Sequence, residues 1–233
     1  MTEQLRPTRQ DASRCPRLVV IGNGMAGHRL LEQLIARPDR PQAIHVFGDE
    51  PCPAYNRIML SPLLAGEIEH DAIALHDRNW YDRHGITLHC DSPVTAIDRQ
   101  RREIIGADGE RTAYDQLVLA TGSRPRTFPL PGSELAGIHG FRTTEDVETL
   151  ARARDHGEHA VVIGGGLLGL EAAEGLRKRG MQVTVVHLGD YLLDRQLDEY
   201  GAYLLQQELE ARGLRFELGT LCLLYTSPSP RDS

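Results

Sequence analysis

Residues 18–29 read Leu-Val-Val-Ile-Gly-Asn-Gly-Met-Ala-Gly-His-Arg, an apolar run that breaks into three glycines and continues as a helical pattern. A short run of β-branched and leucine residues is a buried strand in outline. Gly22 permits a tight turn, Gly24 lets a backbone approach a diphosphate, and Gly27 lets helix and strand pack closely. Met25 and Ala26 sit between them at the start of the helix, whose N–H groups face any phosphate there. Apolar residues at Leu30, Leu31, Leu34 and Ile35 continue the helix, and Ala43 to Phe47 returns as a strand. Strand, glycine turn, helix and strand form a βαβ unit, because a parallel strand pair needs such a crossover. Asp49 and Glu50 follow the second strand, where an acid that holds a ribose belongs.

The device recurs. Val162-Ile163-Gly164-Gly165-Gly166-Leu167-Leu168-Gly169 lies about 140 residues further on (Gly22 to Gly164), with a helix over Leu167 to Lys178 and a strand over Gln182 to His187. Gly164, Gly166, Leu168 and Gly169 take the places of the first turn's residues. Where a ribose-binding acid would stand there is His187, so a preference for NADH or NADPH stays open. One dinucleotide can be a substrate, whereas two suggest a hydride passed from nicotinamide to flavin.

Between the repeats, Asp77 to His84 reads as a helix capped by Gly85, with Trp80 and Tyr81 anchoring it to the core. Ile86 to His89, Val94 to Asp98 and Arg102 to Ile105 read as short antiparallel strands, and Gln116 to Ala120 as a buried one. The proline-rich stretch from Arg124 to Gly132 is a connector. A third helix is expected over Leu197 to Arg212, then a strand from Leu214 to Leu218. The expected fold is α/β, with two dinucleotide-binding (Rossmann-like) three-layer domains, the first carrying an antiparallel meander insertion. Residues 1–16 read as a flexible tail, 17–142 as a first dinucleotide-binding domain and 143–220 as a second. The stretch 221–233, LCLLYTSPSPRDS, reads as translated adapter sequence or a disordered tail.

Bulk properties narrow the chemistry. A net charge of -7 disfavours a nucleic acid or an acidic membrane as partner. Among 26 basic residues Lys178 is the single lysine, which removes most lysine-based chemistry. The cysteines at 15, 52, 90 and 222 form no CxxC or CxxxxC pair, and no apolar run is long enough for a signal peptide or a membrane span. A reducing cytoplasm fits. The ten histidines show no spacing of a closed metal site, so no metal is expected.

Further phrases carry a resemblance. Gly22 to Arg29, Ala54-Tyr55-Asn56-Arg57 with Leu60-Ser61, Tyr114 to Pro125 and Gly164 to Ala173 resemble the flavoprotein reductases with two dinucleotide folds. With Arg195-Gln196-Leu197-Asp198, the wording is most similar to the large subunits of NAD(P)H-dependent nitrite reductases. That resemblance implies FAD on the first glycine turn and NAD(P)H on the second, which makes 17–142 the first part of an FAD-binding domain and 143–220 a truncated NAD(P)-binding domain. It places Asp49 or Glu50 on the adenosine ribose, Arg57 and the neighbouring Ser61 near the flavin site, and Val94 at the adenine edge. Ala120, Thr121 and Gly122 would pass close to FAD, and Glu171 would act at the hydride-transfer site. The disulfide reductases' CxxxxC pair is absent. The single cysteine that follows a Leu-Ser pair in other relatives is here Pro62. Electrons would therefore leave the flavin one at a time for iron–sulfur and sirohaem centres, expected downstream of this stretch, that reduce nitrite to ammonia. A stand-alone reductase of rubredoxin or ferredoxin is the rival enzyme, and a nucleotide-binding module without flavin, or an inactive fragment, the rival of another class. A homodimer is compatible with each.

Overall fold

A computed structural model describes residues 16–125 and 132–220. The tails at 1–15 and 221–233 and the core of the connector at 126–131 lie outside the described residues, and with them the readings made there. The described chain falls into two compact units. One takes in 16–56 and 74–123, the other 57–73, 124–125 and 132–220. The stretch 57–73, placed with the FAD domain by its position in the chain, thus packs with the second unit.

In the first unit β1 (Arg17–Ile21) is flanked by β2 (Ala43–Phe47) and β7 (Gln116–Leu119), and β3 (Ile86–His89) lies beyond β2. The order is β3-β2-β1-β7 and every pair is parallel. The sequence reading of Ile86 to His89 as part of an antiparallel meander is therefore corrected. Helix α3 (Arg78–Arg83) lies in the crossover from β2, so the strand returns in the same direction and sets Ile86 beside Ile44. Asp77 caps α3 by accepting from the Trp80 N–H, and Gly85 follows its end in the left-handed region.

The meander consists of β4 (Val94–Asp98), β5 (Glu103–Gly106) and β6 (Arg111–Ala113). Alternation along β1 explains the three layers. Leu18 and Val20 join Leu31 of α1 (Met25–Ile35) and Trp80 and Tyr81 of α3, whereas Val19 and Ile21 join Ile104 of the meander. A strand buried on both faces must be apolar throughout, which is what the opening run shows. The anchoring of Trp80 and Tyr81 in the core is as expected, at 7% and 0% exposure.

In the second unit β8 (His159–Ile163), β9 (Gln182–Val186) and β10 (Arg215–Glu217) form a parallel sheet in the order β10-β9-β8. Helix α5 (Leu167–Lys178) packs on β8 and β9, and α6 (Glu199–Ala211) starts at an Asp198 cap. Val161 and Ile163 of β8 are 65% and 47% exposed. Helix α4 (Thr144–Ala151) escaped the sequence reading although Thr143 and Asp146 form a capping box, a legible helix-start signal. Helix α2 (Leu60–Leu64) packs against α4 and α5. Gly175 of α5 makes that approach possible, since a Cβ there would lie 2.7 Å from Leu64 Cγ. Arg179 Nε donates to the Leu64 carbonyl at 2.8 Å, and Lys178 pairs with Glu67.

The sheet edge of the first unit carries a titratable pair. His45 Nδ1 lies 3.2 Å from His89 Nε2, and Phe47 stacks on the His89 ring at 4.2 Å. Burial holds both imidazoles below the usual histidine pKa. The neighbouring Arg17 and His89 add to this for His45, while Glu110 opposes it for His89. A depressed folded-state pKa means that the unfolded chain takes up protons first as pH falls. The resulting stability is present above about pH 6.5 and is lost as pH falls through the lowered folded values. Thermal midpoints should therefore drop between pH 7.5 and 5.5, and less so in the His45→Gln/His89→Gln double variant. Identical pH slopes in both proteins would refute the assignment.

Candidate nucleotide-binding sites

The two glycine turns have nearly the same local geometry. Gly22 N–H donates to the Phe47 carbonyl at 2.8 Å, and Gly164 N–H donates to the Val186 carbonyl at 2.8 Å. The first helical bonds run from His28 to the Gly24 carbonyl and from Leu170 to the Gly166 carbonyl. The N–H groups of Met25, Ala26 and Gly27, and of Leu167, Leu168 and Gly169, thus precede any intrahelical acceptor. Gly24 and Gly166 are the N-caps, both extended, with no side-chain cap on either helix. A helix start with no capping oxygen presents its N–H groups and positive dipole end to an anion.

The glycines divide by what surrounds them. A Cβ on Gly27 would lie 2.4 Å from the Gly22 carbonyl oxygen, and one on Gly169 would lie 2.0 Å from that of Gly164. These two are glycine because helix and turn touch. At Gly24 and Gly166 a Cβ would meet nothing within 4 Å. Among the described residues packing gives no reason for glycine there, and the space in front of each is open. These open cradles fit the diphosphate of a dinucleotide.

Parallel pairing of β1 with β2 and β7 brings three loops to one sheet edge: the first glycine turn, the Asp49-Glu50 segment and Ala120-Thr121-Gly122. The chain leaves β1 for β2 on one side and later adds β7 on the other, and ligands of open α/β sheets bind at such switch points. Ala120 sits directly against Gly22, because a Cβ on Gly22 would fall 2.2 Å from the Ala120 oxygen. Of the two candidate acids, Glu50 accepts from the Tyr55 hydroxyl at 2.6 Å and is partly buried, whereas Asp49 is exposed. Val94 packs beside Val19, Ile21 and Ile104 at the start of the meander.

The second unit holds the remaining candidates. Arg57 Nη1 donates to the Arg142 carbonyl at 2.9 Å, and Ser61 Oγ donates to Glu171 Oε2 at 2.5 Å. The pairing of Ser61 with Glu171 spans 110 positions and has no local signal. His187 leaves the end of β9 with its ring against the turn: a Cβ on Gly165 would lie 2.8 Å from its Cγ. Its Nε2 is buried without a hydrogen-bond partner. The histidine therefore lines the place where an acid commonly meets ribose.

Against known proteins, residues 16–223 match the family model described as pyridine nucleotide-disulphide oxidoreductase. The chain belongs to the pyridine nucleotide-disulphide oxidoreductase family. Among curated members, the assimilatory nitrate reductase electron transfer subunit of Bacillus subtilis (strain 168) is 48% identical over 203 residues, 87% of this chain and 26% of that protein. Nitrite reductase [NAD(P)H] of the same organism is 43% identical over 201 residues, 86% of this chain and 25% of that protein. The chain thus spans about a quarter of the length of these relatives. Among solved members, a crystal structure of the covalent putidaredoxin reductase–putidaredoxin complex matches with a TM-score of 0.78 and 30% identity, over 88% of this chain and 50% of that one. Among the described residues the cysteines are Cys52 and Cys90, both half-buried. No helix among them is long and apolar enough to cross a membrane.

Proposed function

We propose that this chain is the flavin-reducing portion of a cytoplasmic NAD(P)H oxidoreductase, with FAD on the first glycine turn and NAD(P)H on the second, serving a reductase of the nitrite or nitrate type. The observation that carries this reading is the pair of uncapped helix starts, each behind a glycine whose missing side chain no packing among the described residues accounts for. When bound, FAD would supply the acceptor for a hydride from the reduced nicotinamide, whose two electrons would leave singly and whose proton would pass to solvent. The chain's own residues bind and orient. The N–H groups of Met25, Ala26 and Gly27 would hold one diphosphate, and those of Leu167, Leu168 and Gly169 the other. Glu50, steadied by Tyr55, or Asp49 would take ribose hydroxyls. Ser61 and Glu171 form a hydrogen-bonded pair that would position the reacting rings. Proximity and electrostatics are the protein's share of the work, with little acid–base chemistry.

The similarity to putidaredoxin reductase supports a second reading, in which electrons pass to a separate small iron–sulfur carrier. Iron–sulfur and sirohaem groups belong to the first reading and would be carried by sequence outside this chain. One experiment tests the shared core. The polypeptide containing this chain together with the remainder of a relative's length is purified, its visible spectrum recorded, and NAD(P)H oxidation followed with ferricyanide. A yellow protein with dye reduction is expected. A colourless protein that still binds NAD(P)H would mean a nucleotide-binding module of another class. Turnover with nitrite separates the nitrite-reductase reading from that of a carrier reductase.

A further inference from the structure

Three side chains, one of them remote in sequence from the other two, meet on the first unit. Helix α1 carries His28 and Glu32 one turn apart, and His76 reaches them from the loop ahead of α3. His28 Nε2 lies 3.8 Å and His76 Nε2 3.4 Å from Glu32 Oε1, and one ligand atom from each residue falls within 4.8 Å of the other two. A tetrahedral ion with bonds of about 2.1 Å sets its ligands about 3.4 Å apart. Two edges are thus near that length. The third closes by rotation of His76, whose side chain is 37% exposed.

The decisive atom is His28 Nε2. The residue is 1% exposed, and Nε2 has no hydrogen-bond partner. Its other nitrogen, Nδ1, lies 3.0 Å from the Tyr81 hydroxyl. The same hydroxyl lies 3.2 Å from Asn23 Oδ1; when it donates its one proton there, Nδ1 is the donor in the pair with His28. Burial pushes the Tyr81 phenol up to about 12, which keeps its proton in place. Nε2 is then a bare lone pair turned toward a carboxylate oxygen. A buried imidazole nitrogen with no hydrogen-bond partner thus faces the oxygen of a partly exposed carboxylate, a place that a cation would complete. Arg29 holds the other Glu32 oxygen, Oε2, at 2.6 Å and leaves Oε1 to the cluster.

We propose that His28, Glu32 and His76 bind one divalent transition-metal ion of the zinc class, with a fourth position left to water. Two imidazoles and a carboxylate are a ligand set that such ions accept with an open site. Tyr81 orients His28 as an outer-shell partner does and also touches Asn23 of the first glycine turn, so the ion would brace that turn. The inference stands whether or not the chain binds flavin.

The chain offers its own reporter. Trp80 is the single tryptophan and stacks on His76 at 4.6 Å with the rings 2° from parallel. Untagged chain is titrated with Zn²⁺ by calorimetry and with Co²⁺ while Trp80 fluorescence is followed. One Zn²⁺ per chain and saturable quenching by Co²⁺ are expected. Both should be lost in His76→Ala and in Glu32→Gln, and Tyr81→Phe should bind about 10- to 100-fold more weakly. Glu32 and His76 are partly exposed, so circular dichroism of these variants should match the parent; if one fails to fold, the other decides. Zn²⁺ binding that survives both ligand substitutions, or the absence of saturable quenching, would overturn the proposal.

Discussion

Replacing Gly22 by alanine is expected to remove a large share of the first unit's stability and to lower its urea midpoint sharply. Gly22 has φ +107°, a conformation in which an L side chain is strained whatever the space around it. Space is lacking as well. The new Cβ would lie 2.2 Å from the Ala120 oxygen, 2.4 Å from its carbonyl carbon and 2.8 Å from the Thr121 nitrogen. All three are backbone atoms held by the pairing of β1 with β7, so no side chain can swing away. Backbone strain costs about 1–3 kcal/mol and overpacking about 1–3 kcal/mol more, or about 2–6 kcal/mol together. A domain of this kind has about 5–15 kcal/mol in all. Urea titration followed by circular dichroism and Trp80 fluorescence reads the loss. A midpoint unchanged from the parent would show that the turn is built differently.

Gly24→Val should do the reverse, leaving the fold intact and removing FAD. Gly24 is extended at φ -90° and ψ -175°, a conformation open to valine, and no atom lies within 4 Å of the added Cβ. Urea midpoints of the cofactor-free variant and parent should coincide. The valine methyls would occupy the space reserved for diphosphate in front of the Met25 and Ala26 N–H groups. FAD affinity should fall by about 100-fold or more, equivalent to about 2.7 kcal/mol. Gly166→Val should have the matching effect on NAD(P)H, with flavin retained, because its surroundings are equally open. The experiment separates glycines that the fold requires from those that a ligand requires. If Gly24→Val retained full flavin content, the first cradle would not be the FAD site.

Much of this was legible in the chain itself. The apolar runs, the glycine spacing and the helical patterns after them placed both βαβ units within a residue or two of where they stand. Those signals are local: a tight turn needs its glycine whatever the rest of the protein does, and a doubly buried strand must be apolar. The direction of β3 was not legible. Whether Ile86 to His89 runs parallel or antiparallel depends on which strand it meets, and its neighbour β2 lies some 40 residues earlier. The packing of α2 on α5 was hidden for the same reason, since Gly175 reads as an ordinary helix glycine until Leu64 is laid against it.

Sequence alone determined that the chain has two glycine-lined helix starts behind apolar strands and no CxxC or CxxxxC spacing, because these depend on residue type and short spacing. Tertiary structure decided which glycines are packed and which are open, that Glu50 rather than Asp49 is steadied by Tyr55, and that Ser61 meets Glu171. It also brought His76 to His28 and Glu32 across more than 40 residues. Each of these is a distance between atoms far apart in the chain, and only the folded backbone sets such distances.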